Sequence, residues 1–230
     1  YVPLENELYA NVNFDKGHVV IQYTENEPEV ALEEELKELT KIGGWEEETS
    51  GQSQAEIAVS EQTTYDFPIV MNKQVEFYLN LFQTKQRGYY ERWLARSTKY
   101  LPYIKSNLRQ AGLPEDLAYL AMIESGYNPT AISKAKAVGL WQFIAGTGKN
   151  YGLRIDSWVD ERREPDKATL AAIKYLTFLY EEFGSWYLAV AAYNAGEGKI
   201  GRGIERYKTE DFWHLASKDY LSLETKRYVP

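Results

Sequence analysis

The sequence predicts a mainly α-helical protein with a small β-hairpin-plus-helix unit at its N-terminus, and three observations carry that expectation. From Phe67 onward, apolar residues recur at helical spacing almost without interruption. Strict alternation of apolar and polar residues is confined to positions 9–23. Between the two lies a polar, acidic stretch without a sustained period, which reads as a linker. The expected organisation is a small α+β unit over 1–42, an acidic linker over 43–66 and a helical domain over 67–230.

Taken in order, Y-A-N-V-N-F and H-V-V-I-Q-Y alternate on either side of Asp15-Lys16-Gly17, a turn signal, and form a hairpin. A helix follows from Glu29 to Ile42, with Leu32, Leu36 and Leu39 on one face and Gly43-Gly44 as its stop. In the helical domain, Pro68 to Phe82 carries Val75, Tyr78, Leu79 and Phe82 on one face, and Gly88 to Ser97 and Pro102 to Gln110 read as two further amphipathic segments. Asp166 to Phe183 is opened by Pro165 and closed by Gly184. Trp186 to Asn194 is apolar nearly all round and is the expected central helix.

Composition narrows the function. A net charge of −8 and a pI near 5.0 oppose a nucleic-acid partner, because phosphate binding needs clustered positive charge; an anionic polymer would have to be held by local charge. The absence of cysteine removes thiolate metal sites and thiol nucleophiles, and His18 and His214 alone make no histidine metal site. No metal or cofactor is expected. No apolar run is long enough to span a bilayer. The 19 Tyr and 6 Trp supply rings of the kind that stack on sugars, although tyrosines also line ordinary helix surfaces.

The chemistry concentrates in L-P-E-D-L-A-Y-L-A-M-I-E-S-G-Y-N-P, residues 113–129, which reads as a short helix opened by Pro114 and stopped by Gly126. Leu117, Leu120 and Ala121 form its apolar face, and the next position on that face is Glu124. Burial and the negative end of the helix dipole both disfavour a carboxylate there and raise its pKa, as a general acid near neutral pH requires. On this stretch alone, a solvated acid in a last helical turn is the better explanation of Glu124.

Three further segments pair a polar side chain with an aromatic ring beside a glycine or helix end: G-L-W-Q-F at 139–143, A-A-Y-N-A-G at 191–196 and E-T-K-R-Y at 224–228. Together with Glu124-Ser125, and in this order, they resemble the successive motifs of the family 1 lytic transglycosylases, of the soluble lytic murein type. The intervening text, including Y-G-L-R-I-D-S-W-V-D-E-R-R-E-P at 151–165, is closest to the membrane-bound D branch of that family. The resemblance covers roughly 67–230 and leaves out the first 42 residues.

The resemblance implies a lysozyme-like domain, a monomer located in the bacterial periplasm and associated with the cell envelope, that cuts the β-1,4 bond between N-acetylmuramic acid and N-acetylglucosamine in peptidoglycan. It implies that Glu124 serves as both acid and base and that 1,6-anhydromuramyl ends result. It further implies that Ser125 and Gln142 hydrogen-bond the sugars, Trp141 and Phe143 form the pocket wall, and Tyr193 and Tyr228 position Glu124 or stabilise developing charge. Asn194 reads either as part of that site or as a cap of its own helix. The family's last helix is expected to continue past Pro230, with wall-binding repeats of the LysM type after it, and any membrane anchor is expected on a segment outside this chain. Two other readings stand beside this one. One is a hydrolase with a second carboxylate from Asp156 or Asp160. The other is a non-catalytic wall-binding module, against which the position of Glu124 speaks. Arg154, Arg162 and Arg163 read as a salt-bridge cluster with Asp160, Glu161 and Glu164, or as contacts to acidic groups of the wall.

Overall fold

The structure is a computed structural model that describes residues 8–15, 18–25 and 65–230. Strands β1 (Leu8–Asp15) and β2 (His18–Glu25) pair antiparallel, with Leu8 opposite Glu25 and Asp15 opposite His18. The helix expected over 29–42 and the linker as far as residue 64 lie outside the described residues.

The remainder is mainly helical. Helix α1 (Lys73–Gln83) begins later than Pro68 because the Asn72 side chain accepts from the amides of Gln74 and Val75, fixing the start there. Its buried residue is Leu81, whereas Leu79, expected on the inner face, is 46% exposed. The two segments expected at 88–97 and 102–110 are one helix, α2 (Arg87–Gln110), which runs through Pro102. Its buried positions, Trp93, Ser97, Ile104 and Leu108, stay in phase across the proline. Continuous burial on that face offsets the hydrogen bond that proline cannot donate.

A 3₁₀ turn at Glu115–Tyr119 leads into α3 (Leu120–Ser125), so the stretch expected as one short helix is wound more tightly in its first half. Asp66 accepts from the amides of Glu115 and Asp116, capping this start from a distant segment. A small lobe follows, built on isolated bridges (Ile132 with Val138, Val138 with Phe143, Ile155 with Asp160) and the short α4 (Ala145–Asn150). Helix α5 (Pro165–Phe183) packs against α6 (Trp186–Ala195), which buries Leu188 to Ala192 without a break and is the central helix. Alanines on both, among them Ala168, Ala171 and Ala172 on α5 and Ala189, Ala191 and Ala192 on α6, keep the core side chains small enough for close helix packing. Helices α7 (Glu197–Tyr207), α8 (Phe212–Ala216) and α9 (Leu223–Tyr228) complete the domain. Helix α9 lies against α6, which brings the end of the described chain back to the middle of the domain.

Candidate active site

Glu124 sits in the last turn of α3, held in place because Leu117, Ala118, Leu120 and Ala121 are buried on the same side of the segment. Gly126 ends the helix with φ 56°, and a Cβ there would stand 2.6 Å from the Trp93 ring. Only glycine accepts both the left-handed turn and that ring. The helix therefore stops at Ser125, leaving Glu124 at its open end.

Part of Glu124 reaches solvent, yet burial of its carboxyl dominates its electrostatics and raises the pKa to about 7. The Glu224 charge pushes in the same direction, while a hydrogen bond from the Tyr228 hydroxyl to Oε1, 2.5 Å, works against it. The Tyr228 phenol is itself pushed well up by burial and by the Glu124 charge, so it remains a donor. The second acid on the expected hydrolase route is not in this arrangement. Asp156 is engaged by Arg154 and the amides of Trp158 and Val159, and Asp160 by Arg162, and both are held below the usual carboxylate range.

Tyr228 is buried, at 8% exposure. What places it is Thr225, one turn earlier on α9, which donates to Asn194 Oδ1 at 2.9 Å. The Asn194 amide also reaches Glu224 at 3.5 Å. Asn194 thus ties α9 to α6; α6 itself is closed by the Gly196 amide on the Ala192 carbonyl. The sequence reading left Thr225 and Glu224 out, although both stand inside E-T-K-R-Y.

Tyr193 stands close enough to Glu124 that, after burial, the Glu124 charge is the next cause holding its phenol well above the usual range. Its hydroxyl donates to the Trp141 carbonyl at 2.8 Å, and its ring packs beside Phe143 and Tyr175. Trp141 and Phe143, expected as pocket wall, are 0% and 3% exposed and belong to the core. Trp141 donates its indole N–H to Thr169, and both residues contribute to the surroundings through backbone carbonyls, Trp141 to Tyr193 and Phe143 to Arg162.

Ser125 is placed differently from its expected sugar-binding position. It is 0% exposed, its hydroxyl faces the carbonyls of Leu140 and Ala121, and the Asn128 amide donates to it. Every polar contact of that hydroxyl lies within the protein, where it joins α3 to the G-L-W segment. Gln142 is half-buried in a left-handed conformation, φ 47°, and its Nε2 donates to the carbonyls of Gly139 and Ala131. Gly139 carries φ +85°, and a Cβ on it would lie 1.8 Å from the Arg162 carbonyl oxygen. Arg162 is a structural tie: its guanidinium holds Asp160 and the carbonyls of Lys136 and Phe143. Arg154 and Glu161 are likewise occupied with Asp156 and Lys167. Among the described residues, no cluster of three or more His, Asp or Glu could hold a metal ion, and no helix is long and apolar enough to cross a membrane.

The family model for the transglycosylase SLT domain matches residues 102–216, half of the chain. The chain belongs to the transglycosylase SLT domain family. This chain is 38% identical over 151 residues to membrane-bound lytic murein transglycosylase D of Escherichia coli K12, covering 64% of this chain and 32% of that relative, so the match spans about a third of the relative's length. It is 41% identical over 105 residues to peptidoglycan transglycosylase gp16 of Escherichia phage T7, covering 44% of this chain and 8% of that one. The 70 kDa soluble lytic transglycosylase of Escherichia coli has the same helical fold, with a TM-score of 0.51 at 19% identity over 68% of this chain and 28% of that chain.

Proposed function

We propose that the SLT domain of this chain is a peptidoglycan lytic transglycosylase acting in the bacterial periplasm at the cell envelope, with Glu124 as its single acid and base. The observation that carries the reading is a carboxyl raised to about 7 at an open helix end, with a phenol donor on one of its oxygens. At neutral pH such a group is present in both forms, which a residue that must first give and then take a proton needs.

In the first step, Glu124 protonates the oxygen linking muramic acid to N-acetylglucosamine, and the bond from the anomeric carbon to that oxygen breaks. The carboxylate left behind keeps the Tyr228 hydrogen bond and faces the positive charge on the sugar. In the second step, the muramic 6-hydroxyl attacks the anomeric carbon while Glu124 takes its proton. The new bond closes a 1,6-anhydro ring, Glu124 returns to its acid form and no water is consumed. An intramolecular nucleophile makes a second carboxylate unnecessary, in keeping with the engagement of Asp156 and Asp160 elsewhere. Glu224 is the other carboxylate whose charge reaches Glu124, and its contribution is to keep Glu124 protonated.

The test is release of soluble fragments from purified peptidoglycan by the wild type and by Glu124→Gln. Release by the wild type, abolished in the variant, supports the assignment. Equal release by the variant assigns the acid elsewhere, and binding without release by the wild type points to a wall-binding module.

A further inference from the structure

The segment Y-G-L-R-I-D-S-W-V-D-E-R-R-E-P at 151–165 takes no part in the proposed chemistry, yet it builds a closed turn with one ring at its tip. Ile155 bridges to Asp160, and the Asp156 amide donates to the Val159 carbonyl at 2.8 Å. Asp156 Oδ1 accepts from the amides of Trp158 and Val159 at 2.8 and 2.9 Å, while its Oδ2 holds the Arg154 side chain at 2.7 Å. Below the turn, the Glu161 amide donates to the Arg154 carbonyl and the Arg154 amide to the Glu161 carboxylate. Asp160 is gripped by Arg162, which is itself anchored on the carbonyls of Lys136 and Phe143. The tip is thus tied to the body of the domain.

Trp158 stands on that tip at 90% exposure, well above any other large apolar residue among the described residues. There its ring meets neither another aromatic ring nor a cation, and its indole N–H has no hydrogen-bond partner. The Ser157 hydroxyl beside it is exposed and unpartnered as well. A tryptophan is on average highly buried, and this one leaves its apolar surface in water and adds nothing to the core. Its surroundings select what could cover it. A tryptophan at the heart of a protein interface sits in an apolar, desolvated centre, but no other large apolar residue of 145–169 is exposed. A ring seated in an anionic lipid surface works beside free cations, whereas residues 154–164 carry four carboxylates against three arginines, and Arg154 and Arg162 are paired. A sugar ring needs what the turn offers: a flat apolar ring for its C–H face, and free polar groups at the edge for its hydroxyls. Because the turn is already fixed, stacking there orders no backbone.

We propose that Trp158 is a glycan-stacking contact separate from Glu124, which helps to hold the domain on the polysaccharide network of the wall. The choice of glycan rests on the transglycosylase reading. The first test is adsorption to insoluble peptidoglycan, measured in the Glu124→Gln background so that release does not interfere, with and without Trp158→Ala or Trp158→Phe. Trp158→Ala is expected to weaken adsorption by about threefold to tenfold, and Trp158→Phe, which keeps a ring, to restore most of it, with unfolding temperatures at the wild-type value. The same loss is expected on chitin, a β-1,4 polymer of N-acetylglucosamine without peptides. Equal adsorption by all variants overturns the proposal, as does a loss confined to peptidoglycan, which assigns the ring to peptides. Loss of binding to phospholipid vesicles with adsorption to both glycans unchanged overturns it in favour of a lipid surface. In the second test, with Glu124 intact, Trp158→Ala is expected to lower kcat/KM more on the insoluble wall than on short soluble glycan fragments; an equal loss on both assigns Trp158 to the reacting site and overturns the separate contact. If the wild type releases nothing from the wall, the transglycosylase reading fails, and the adsorption comparison on the two glycans still decides the proposal.

Discussion

Replacing Glu124 with glutamine removes an ionisable group from a place that disfavours its charge, so the variant should gain stability relative to the wild type as pH rises. The carboxyl titrates near the ordinary 4.5 in the unfolded chain and near 7 in the folded one. Below about pH 4 both states are protonated, and burial carries no ionisation cost. As pH rises, the unfolded chain loses its proton first, and wild-type stability falls by about 1.4 kcal/mol per pH unit until the folded carboxyl also ionises. The interval between the two values sets a ceiling of about 3 kcal/mol on that loss. Because part of Glu124 reaches solvent, about 2 kcal/mol is the expected size. Glutamine keeps an acceptor for Tyr228 and does not titrate, so it escapes the loss. Urea unfolding at about pH 4 and about pH 8.5 measures this: the stability of the variant relative to the wild type should shift by about 2 kcal/mol in its favour between the two. An offset that stays constant with pH would refute the reasoning, since it would mean that Glu124 titrates alike in both states.

Tyr228→Phe removes the hydrogen bond that favours the Glu124 carboxylate, so the limb of the pH–rate profile set by Glu124 should move to higher pH, with a loss in kcat of about tenfold. A profile that keeps its position would separate Tyr228 from the acid. Ser125→Ala should lower stability by about 1–2 kcal/mol in chemical denaturation and leave KM for the glycan unchanged, because its hydroxyl serves the Leu140 and Ala121 carbonyls. A raised KM at unchanged stability would return Ser125 to the sugar site. Gly139→Ala drives a methyl group into the Arg162 carbonyl, and a loss of about 3 kcal/mol or more in the same assay is expected.

The part of this protein most legible in its sequence is the part governed by local signals. Pro165 and Gly184 bracket α5, Gly126 stops α3, and the unbroken apolar run of α6 marks it as central. Pro102 misled in the opposite sense: a local helix-breaking signal divided α2, and burial in phase from Trp93 to Leu108 overrode it. Helix α7 was legible in principle from Ile200 and Ile204 four residues apart, but its glycines obscured the pattern. At the site, one acid on a leucine face made Glu124 a candidate, and the ordered motifs at 139–143, 191–196 and 224–228 singled it out. The tasks of its neighbours could not be read this way, since they depend on which backbone carbonyl each side chain meets. Ser125 carries a hydroxyl that looks available for sugars on paper, and in three dimensions it serves Leu140 and Ala121; Trp141, expected as pocket wall, lies in the core with its indole N–H on Thr169, and the Gln142 amide nitrogen donates to Gly139. The bond from Thr225 to Asn194 joins residues 31 positions apart, a pairing that no periodicity announces.

Mass spectrometry of the new chain ends after digestion of purified peptidoglycan by the wild-type chain tests the central claim most directly. A single acid and base working with the muramic 6-hydroxyl predicts anhydromuramyl ends, each lighter by one water than a reducing end and carrying no label when the digestion is run in ¹⁸O-water. Reducing ends that carry the heavy oxygen would contradict the account and make the enzyme a hydrolase.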